Sequence, residues 1–306
     1  MLYYYYKSLK DDQFSLIPEP REGCWIHIEQ ATIDDLIQVA ALIKEEYTEL
    51  QDALDKYELP RMEKIDSNLI LFVRYPVDQE SGLYTTAMTI ILTSHFFVTI
   101  SPGACPLVSS FILRKTTQAT SQRSKLLVAL LLKVVQEFTA EIKKVRYNVL
   151  RQEKEFAHID SDDITALTKS EEILNQYFSA LSPFRVILET IISNKDSSLY
   201  EKDHEKIDDL LNSVKQSEDL LSIVLKSIRG LRESYQTIFT NNLSKTIKLL
   251  TGLTILFSIP TMIASIYGMN ISLPLEHDTR AFIWIMIIIL ALSVVGIWYF
   301  KRKRWL

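Results

Sequence analysis

Cysteine, glycine and proline are all scarce in this chain, with two, seven and nine residues among 306. Two cysteines, Cys24 and Cys105, make neither a disulfide framework nor a CxxC motif, so buried reduced thiols are expected. So little glycine and proline argues against a β-sandwich, a collagen-like chain or a low-complexity linker. An excess of positive charge is also missing. Lys and Arg total 34 against 38 Asp and Glu, a formal net charge of −4, which argues against a generally basic nucleic-acid-binding surface. The opening MLYYYYKSLK has no basic segment leading into an apolar core and a cleavage site, so no secretory signal is read there. The five histidines, His27, His95, His158, His204 and His277, fall in no HExxH, no Cys–His cluster and no nucleophile elbow. An enzyme is therefore the least supported class. No nucleotide-binding motif is present, which speaks against ATP-driven pumping.

What is present is segregated. Apolar residues make up 47% and charged residues 24%, yet the mean hydropathy is slightly positive. The apolar excess sits near the C-terminus. No charged residue occurs from Leu249 to Leu275, and a second uncharged stretch of 20 residues runs from Ala281 to Phe300. Each is about 30 Å long as a helix, enough to cross the hydrocarbon core of a bilayer. The second ends in Trp298, Tyr299 and Phe300 followed by Lys301, Arg302, Lys303 and Arg304, the pattern of an interfacial belt and a stop-transfer cluster. The positive-inside rule places that basic tail in the cytoplasm, and two spans then place the N-terminus there too. The connection between them, with Glu276, Asp278 and Arg280, lies outside. Residues 1–248 hold 29 basic and 36 acidic side chains, a net −7, so this cytoplasmic part is an acidic surface that can concentrate cations.

The expected fold is an α+β cytoplasmic domain, an α/β sandwich with a long helical hairpin and a stalk helix, followed by a two-helix transmembrane hairpin. The α/β domain covers 1–120, the hairpin 121–198, the stalk 199–248 and the membrane part 249–300. Within the last, the spans are 249–268 and 281–300 with the external loop 269–280 between them, and 301–306 is the basic tail. Strands are expected at Leu2–Lys7, Cys24–Ile28, Leu69–Val73, Tyr84–Leu92 and His95–Ile100, all rich in β-branched and aromatic residues. Thr32 with Asp35 reads as a helix N-cap ahead of Leu36, Val39, Ala40 and Ile43. A second short helix is expected over Leu50–Tyr57. From about Ser121 the apolar period becomes 3.6, in the stripe Leu127, Leu130, Leu131, Val134, Val135, Phe138, Ile142 and Val145. The segment HIDSDD, His158–Asp163, interrupts it. The return helix carries Leu167, Ile173, Leu174, Tyr177, Phe178, Leu181, Ile187 and Ile191. A third stripe, Ile207, Leu210, Val214, Leu221, Val224, Ile228, Leu231, Tyr235 and Ile238, skips a step after Val214. No strong breaker separates it from the first span, so Leu199 to Tyr267 reads as one nearly continuous helix, which as a long amphipathic element implies an oligomer.

The first span is not uniformly apolar. Ser265, Thr261, Ser258, Thr254 and Thr251 recur at three- and four-residue steps below Asn270, and Ser244, Thr240 and Thr237 extend the phase. Two readings are open. Small polar residues glue membrane helices together, or a symmetric ring of identical spans turns such a face into a pore. Pro260 removes one backbone donor and is expected to bend the helix. Gly268 is expected to supply a positive φ where the helix stops.

The span closes in Tyr267-Gly268-Met269-Asn270, within the run IPTMIASIYGMN from Ile259. With a second span about ten residues later and a terminal KRKRWL, this resembles the CorA family of divalent-cation channels. Leu59-Pro60-Arg61 and Ser182-Pro183-Phe184-Arg185 are weaker similarities. The resemblance implies a homopentamer in the plasma (inner) membrane with a central pore lined by the first span. It implies that Gly268, Met269 and Asn270 form the external entrance. Ser265, Thr261, Ser258 and Thr254 then line the pore, and Leu250 and Ile247 form an apolar constriction. Ser258 departs from the family, where a Met often occurs. The resemblance also implies closure by cytoplasmic Mg²⁺ bound between subunits, at Asp209 beside Asp208, with Asp78 and Asp219 as further acids. Mg²⁺ is then both the transported and the regulatory ion, with Co²⁺ or Ni²⁺ as poorer substrates. Two other readings remain at this point: a Zn²⁺ transporter of the same superfamily, for which His277 would suit a softer metal, and a membrane-tethered sensor without conduction.

Overall fold

The structure, a computed structural model, describes residues 1–77, 82, 84–155, 161–193, 198–271, 274 and 280–305. It divides into two compact units, Met1–Phe156 with Thr165–Gly230, and Ala157–Ile164 with Leu231–Leu306.

The first unit is built on a seven-stranded sheet. Its strands are β1 (Leu2–Tyr6), β2 (Ser15–Ile17), β3 (Trp25–Ile28), β4 (Arg61–Ile65), β5 (Asn68–Pro76), β6 (Thr85–Leu92) and β7 (Phe97–Ile100). They lie in the order β2-β1-β3-β7-β6-β5-β4. Only β3 and β7 pair in parallel, with Trp25 opposite Phe97 and Ile28 opposite Ile100. The inner strands are buried on both faces, so they read as continuous apolar runs rather than alternating ones. On one face Ile26, Ile28, Ile70, Phe72, Ile91, Val98 and Ile100 pack under helix α1 (Ile33–Ile43) and a 3-10 helix, Tyr47–Leu54. Helix α1 begins as expected: Thr32 and Asp35 close a capping box, and Leu36, Val39, Ala40 and Ile43 are its buried residues. On the other face Trp25 meets Phe111 of α2 (Pro106–Leu113) edge-on at 5.9 Å, and α3 (Arg123–Glu155) lies across β5 and β6. Cys24 and Cys105 are free and buried, and burial pushes both thiols above their ordinary pKa.

Several elements depart from the sequence expectation. Strands β2 and β4 and helix α2 were not anticipated. The short helix is a 3-10 helix placed three residues earlier. Strands β1, β3, β6 and β7 are shorter than expected, and β5 is longer by four residues.

The long helices follow the expected stripes closely. All eight stripe residues of α3 are buried. In α4 (Ser161–Ser193) the buried line is Leu167, Leu174, Tyr177, Ala180, Leu181, Phe184, Ile187, Leu188 and Ile191. Phe178 is a correction: it is 42% exposed, because it falls about 100° round the helix from Tyr177. Helix α5 (Ser198–Tyr267) is continuous except at Asp203, whose backbone leaves helical geometry. Its skipped step is filled by Ser217, which is buried and lies 2.8 Å from the Thr139 hydroxyl of α3. Ile238 is a second correction: it is exposed, because every residue from Gln236 to Leu243 is exposed, so no face of the helix is covered there. Helix α6 (Ala281–Arg302) follows.

Candidate functional site

The two apolar helices decide the site. The segment of α5 ending at Tyr267 and the whole of α6 are each long and apolar enough to cross a membrane, and neither apolar window is buried within the chain. They pack against each other in antiparallel fashion. A Cβ built on Gly252 would lie 3.8 Å from the Phe300 ring, and one on Gly296 would lie 2.8 Å from Leu256 Cδ2. Glycine at these two positions lets the backbones approach closely.

The hydroxyl stripe lies elsewhere. Thr254, Ser258, Thr261 and Ser265 are all exposed and line one groove with Phe257, Met262, Ile266 and Met269. So the polar face is not the face that α5 uses to pack on α6. At three of these positions the hydroxyl proton is turned inward. Thr254 donates to the Leu250 carbonyl at 2.9 Å, Ser258 to the Thr254 carbonyl at 2.6 Å, and Thr261 to the Phe257 carbonyl at 2.9 Å. Such back-bonding is the usual way a hydroxyl is satisfied within a helix. With those protons committed, Thr254, Ser258 and Thr261 present oxygen lone pairs to the groove, which accept hydrogen bonds. Helix α5 is continuous through Pro260. Ile247 and Leu250 are exposed apolar side chains below the stripe.

The helix ends differently from the expectation. Gly268 is not in the left-handed region, which among glycines only Gly23 and Gly82 occupy. Its N–H instead reaches the carbonyls of Ala264 and Ser265 at 3.0 and 3.3 Å, and Met269 N–H reaches that of Ile266 at 3.2 Å. The last turn tightens rather than reversing. Asn270 follows it, exposed, as does Met269. The Tyr267 hydroxyl donates to the Pro274 carbonyl at 3.4 Å. Glu276, Asp278 and His277 lie outside the described residues.

At the other end of α6, Arg304 takes φ 55°. Trp305 N–H bonds the Phe300 carbonyl at 3.0 Å, and Arg304 N–H that of Lys301 at 3.1 Å. These are the two bonds of a Schellman turn. The Trp305 ring completes it by stacking on Phe300 at 5.5 Å. Lys301 and Arg302 form the basic last turn, with the Arg302 guanidinium 5.5 Å from the Trp298 ring. Lys303 is exposed.

Among the described residues the acidic candidates are not gathered into one cluster. Asp209 and Asp219 are exposed and Asp208 is half-buried, all on α5. Asp209 and Asp219 are ten residues, about 15 Å, apart along the helix. Asp78 lies outside the described residues. Among the described residues no three His, Cys, Asp or Glu side chains form a cluster able to hold a metal. The two weaker motifs do meet: Pro60, Arg61, Ser182 and Pro183 line one groove. Their arginines serve structure. Arg61 pairs with Asp52, Glu58 and Glu63 over the Phe72 ring, and Arg185 pairs with Glu189 and Glu218 at 3.0 and 2.8 Å.

Sequence reasoning overlooked Gln176. Its side-chain oxygen accepts from Tyr84 N–H and its amide donates to the Gly82 carbonyl, both at 2.9 Å. It ties the β5–β6 connection to α4, and no local sequence signal marks it.

Comparison with known proteins fits this arrangement. The model of the family described as CorA-like Mg²⁺ transporter protein matches residues 21–302. The chain belongs to this family. It is 22% identical over 299 residues to the cobalt/magnesium transport protein CorA of Methanocaldococcus jannaschii, covering 92% of this chain and 91% of that one. A magnesium transport protein CorA of Wolinella succinogenes is 35% identical over 101 residues, 28% of this chain and 32% of the relative. The complete structure of the M. jannaschii CorA magnesium transporter superposes with a TM-score of 0.78 at 18% identity, covering 100% and 99% of the two chains. Full-length CmaX gives 0.73 at 16% identity, over 99% and 97%. The cytoplasmic domain of ZntB from Vibrio parahaemolyticus gives 0.60 at 10% identity, over 79% of this chain and 97% of that one. The protein is thus a membrane protein of a divalent-cation transporter family, with the soluble α/β part and two C-terminal apolar helices of that fold.

Proposed function

We propose that this protein is a Mg²⁺ influx channel of the plasma membrane, built as a homopentamer around a pore formed by the α5 spans. The observation that carries the reading is the row of hydroxyl oxygens at Thr254, Ser258, Thr261 and Ser265. It faces away from α6 and leads up to Asn270. A plain anchor, as in the sensor reading, has no use for such a row.

The chemistry suits a hydrated ion. Mg²⁺ gives up its water shell reluctantly. Its waters are hydrogen-bond donors, and the groove offers acceptors. At the entrance, a ring of five Asn270 amide oxygens, framed by Gly268 and Met269, holds the hydrated ion without stripping it. Neutral oxygens bind weakly enough for release, which conduction requires. Leu250 and Ile247 make an apolar constriction that closes by dewetting. Entry is driven by the membrane potential, which is worth about 4.6 kcal/mol per 100 mV for a divalent ion. The N- and C-termini are cytoplasmic, with Lys301–Arg304 at the inner face and the Glu276–Asp278 segment outside. Cytoplasmic Mg²⁺ bridging Asp208, Asp209, Asp78 and Asp219 between subunits closes the channel. Co²⁺ and Ni²⁺ are poorer substrates. The Zn²⁺ reading has only His277 behind it, since the ZntB likeness concerns the fold.

The test is ion flux. Purified protein is reconstituted in liposomes holding a Mg²⁺-sensitive dye, with an inside-negative potential. Rapid Mg²⁺ entry is expected from the wild type, and loss of most of it from Asn270→Ala. Absence of Mg²⁺ entry from an assembled wild-type oligomer overturns the reading. The same vesicles are then assayed for Zn²⁺, with and without a pH gradient.

A further inference from the structure

Phe300 stands out among its neighbours. It is 7% exposed, whereas Trp298 and Tyr299 beside it are 60% and 51% exposed. Its ring lies where a side chain at Gly252 would project. One turn away the roles reverse, and Leu256 of α5 covers Gly296 of α6. Each helix thus offers a missing side chain where the other offers a large one. Positions four apart share a helix face, so the two contacts form one interlocking seam.

The seam is held from behind. The Schellman turn at Arg304 folds Trp305 onto the Phe300 ring, with the planes 24° apart. Phe300 cannot swing off Gly252 without breaking that stack. On the α5 side, Gly252 stands two residues from both Leu250 and Thr254. Two residues is about 200° round a helix. Leu250 and Thr254 therefore lie roughly opposite the seam, and any displacement of α5 away from α6 carries them with it.

We propose that Phe300 and Gly252 are positioning residues for closure: their fit sets how far α5 stands from α6 at the level of the Leu250 constriction. The inference rests on the pore reading given above. It makes the cytoplasmic end of α6 part of the gate, although that end touches no ion.

The experiment uses Leu250→Cys as a reporter in the reconstituted full-length protein. Cys24 and Cys105 are buried, so a charged water-soluble methanethiosulfonate reagent reads the introduced thiol. Modification is followed with high Mg²⁺ on the cytoplasmic side. Phe300→Ala and Gly252→Leu are each expected to change its rate by about tenfold, the scale of coupling between residues in contact. The size-exchanged pair Gly252→Leu with Phe300→Ala is expected to return to within about threefold of the parent. Phe300→Leu, which keeps most of the bulk, covers the case in which Phe300→Ala fails to assemble, and is expected to stay near the parent rate. Unchanged rates in the single variants, or a pair no better than either, overturn the proposal. Ser258→Cys separates the two readings. If it is modified from the aqueous phase, the pore reading stands and only the seam is in question. If it is protected and Asn270→Ala conducts normally, the pore reading falls and the seam's role falls with it.

Discussion

His27 shows how one buried side chain sets a pH limit. It sits on β3 between Trp25 and Tyr3, with Nδ1 2.8 Å from the Thr99 hydroxyl. The same hydroxyl accepts the Trp25 indole N–H at 2.9 Å. His27 Nε2 is buried with no hydrogen-bond partner. Burial disfavours the charged imidazolium and lowers the pKa from 6.5 to about 4. The unfolded chain therefore binds a proton at this site that the folded chain refuses. Above pH 6.5 its protonation adds no cost, since both states are neutral there. Between 6.5 and about 4 stability falls by about 1.4 kcal/mol per pH unit from this residue alone. His27→Gln removes that term, so the thermal midpoint of the purified protein is expected to fall less steeply below pH 6.5. A wild-type and a His27→Gln curve of equal slope between pH 6.5 and 4.5 would contradict the assignment.

At the scale of elements, the telling feature is the skipped step in α5. Ser217 fills it, bonded to the Thr139 hydroxyl of α3 and to the Ser213 carbonyl. A polar pair in an apolar helix interface favours one register, because sliding either helix breaks the bond between the two hydroxyls. Ser217→Ala leaves Thr139 its bond to the Val135 carbonyl and is expected to cost about 1 kcal/mol. Ser217→Leu overpacks the interface and is expected to cost about 1–3 kcal/mol. Thermal unfolding of both variants checks the order. Elements of this kind mark how far the sequence could be read. The α3 stripe and the Thr32–Asp35 cap were legible because both signals are local and periodic. Strands β2 and β4 were not. They are three and five residues long, lie at the two sheet edges, and exist through pairing with β1 and β5. Phe178 shows that apolar identity without phase misleads. The hydroxyl stripe was legible as a face, but which partner that face avoids emerges only from the Gly252 and Gly296 contacts. The turn at Gly268 was misread because a glycine after a helix suits a left-handed cap, while here backbone bonds tighten the last turn instead.

For the whole molecule, the acidic side chains of α5 pose a problem that one chain does not solve. Residues 1–248 carry a net −7, and among the described residues Asp208, Asp209 and Asp219 are not gathered into a metal cluster. In the homopentamer proposed above, copies of so acidic a part repel one another. On that proposal, a divalent cation shared between carboxylates of adjacent copies offsets the repulsion, and its loss loosens the ring. Regulation is thus expected to follow the cation concentration on the cytoplasmic side, and permeation to follow Asn270, just past the opposite end of α5. The two are separable. Asp208→Asn with Asp209→Asn is expected to raise the internal Mg²⁺ needed for half-inhibition by about tenfold, the lower end of what losing groups at a metal site costs in affinity. The external Mg²⁺ giving half-maximal flux is expected to stay where it was, because Asn270 is untouched. The measurement is flux into liposomes preloaded with graded Mg²⁺, at fixed potential, for wild type and the double variant. An unchanged internal midpoint would remove these carboxylates from the regulatory site. Movement of both midpoints together would instead mean that the substitutions disturb the assembled pore itself.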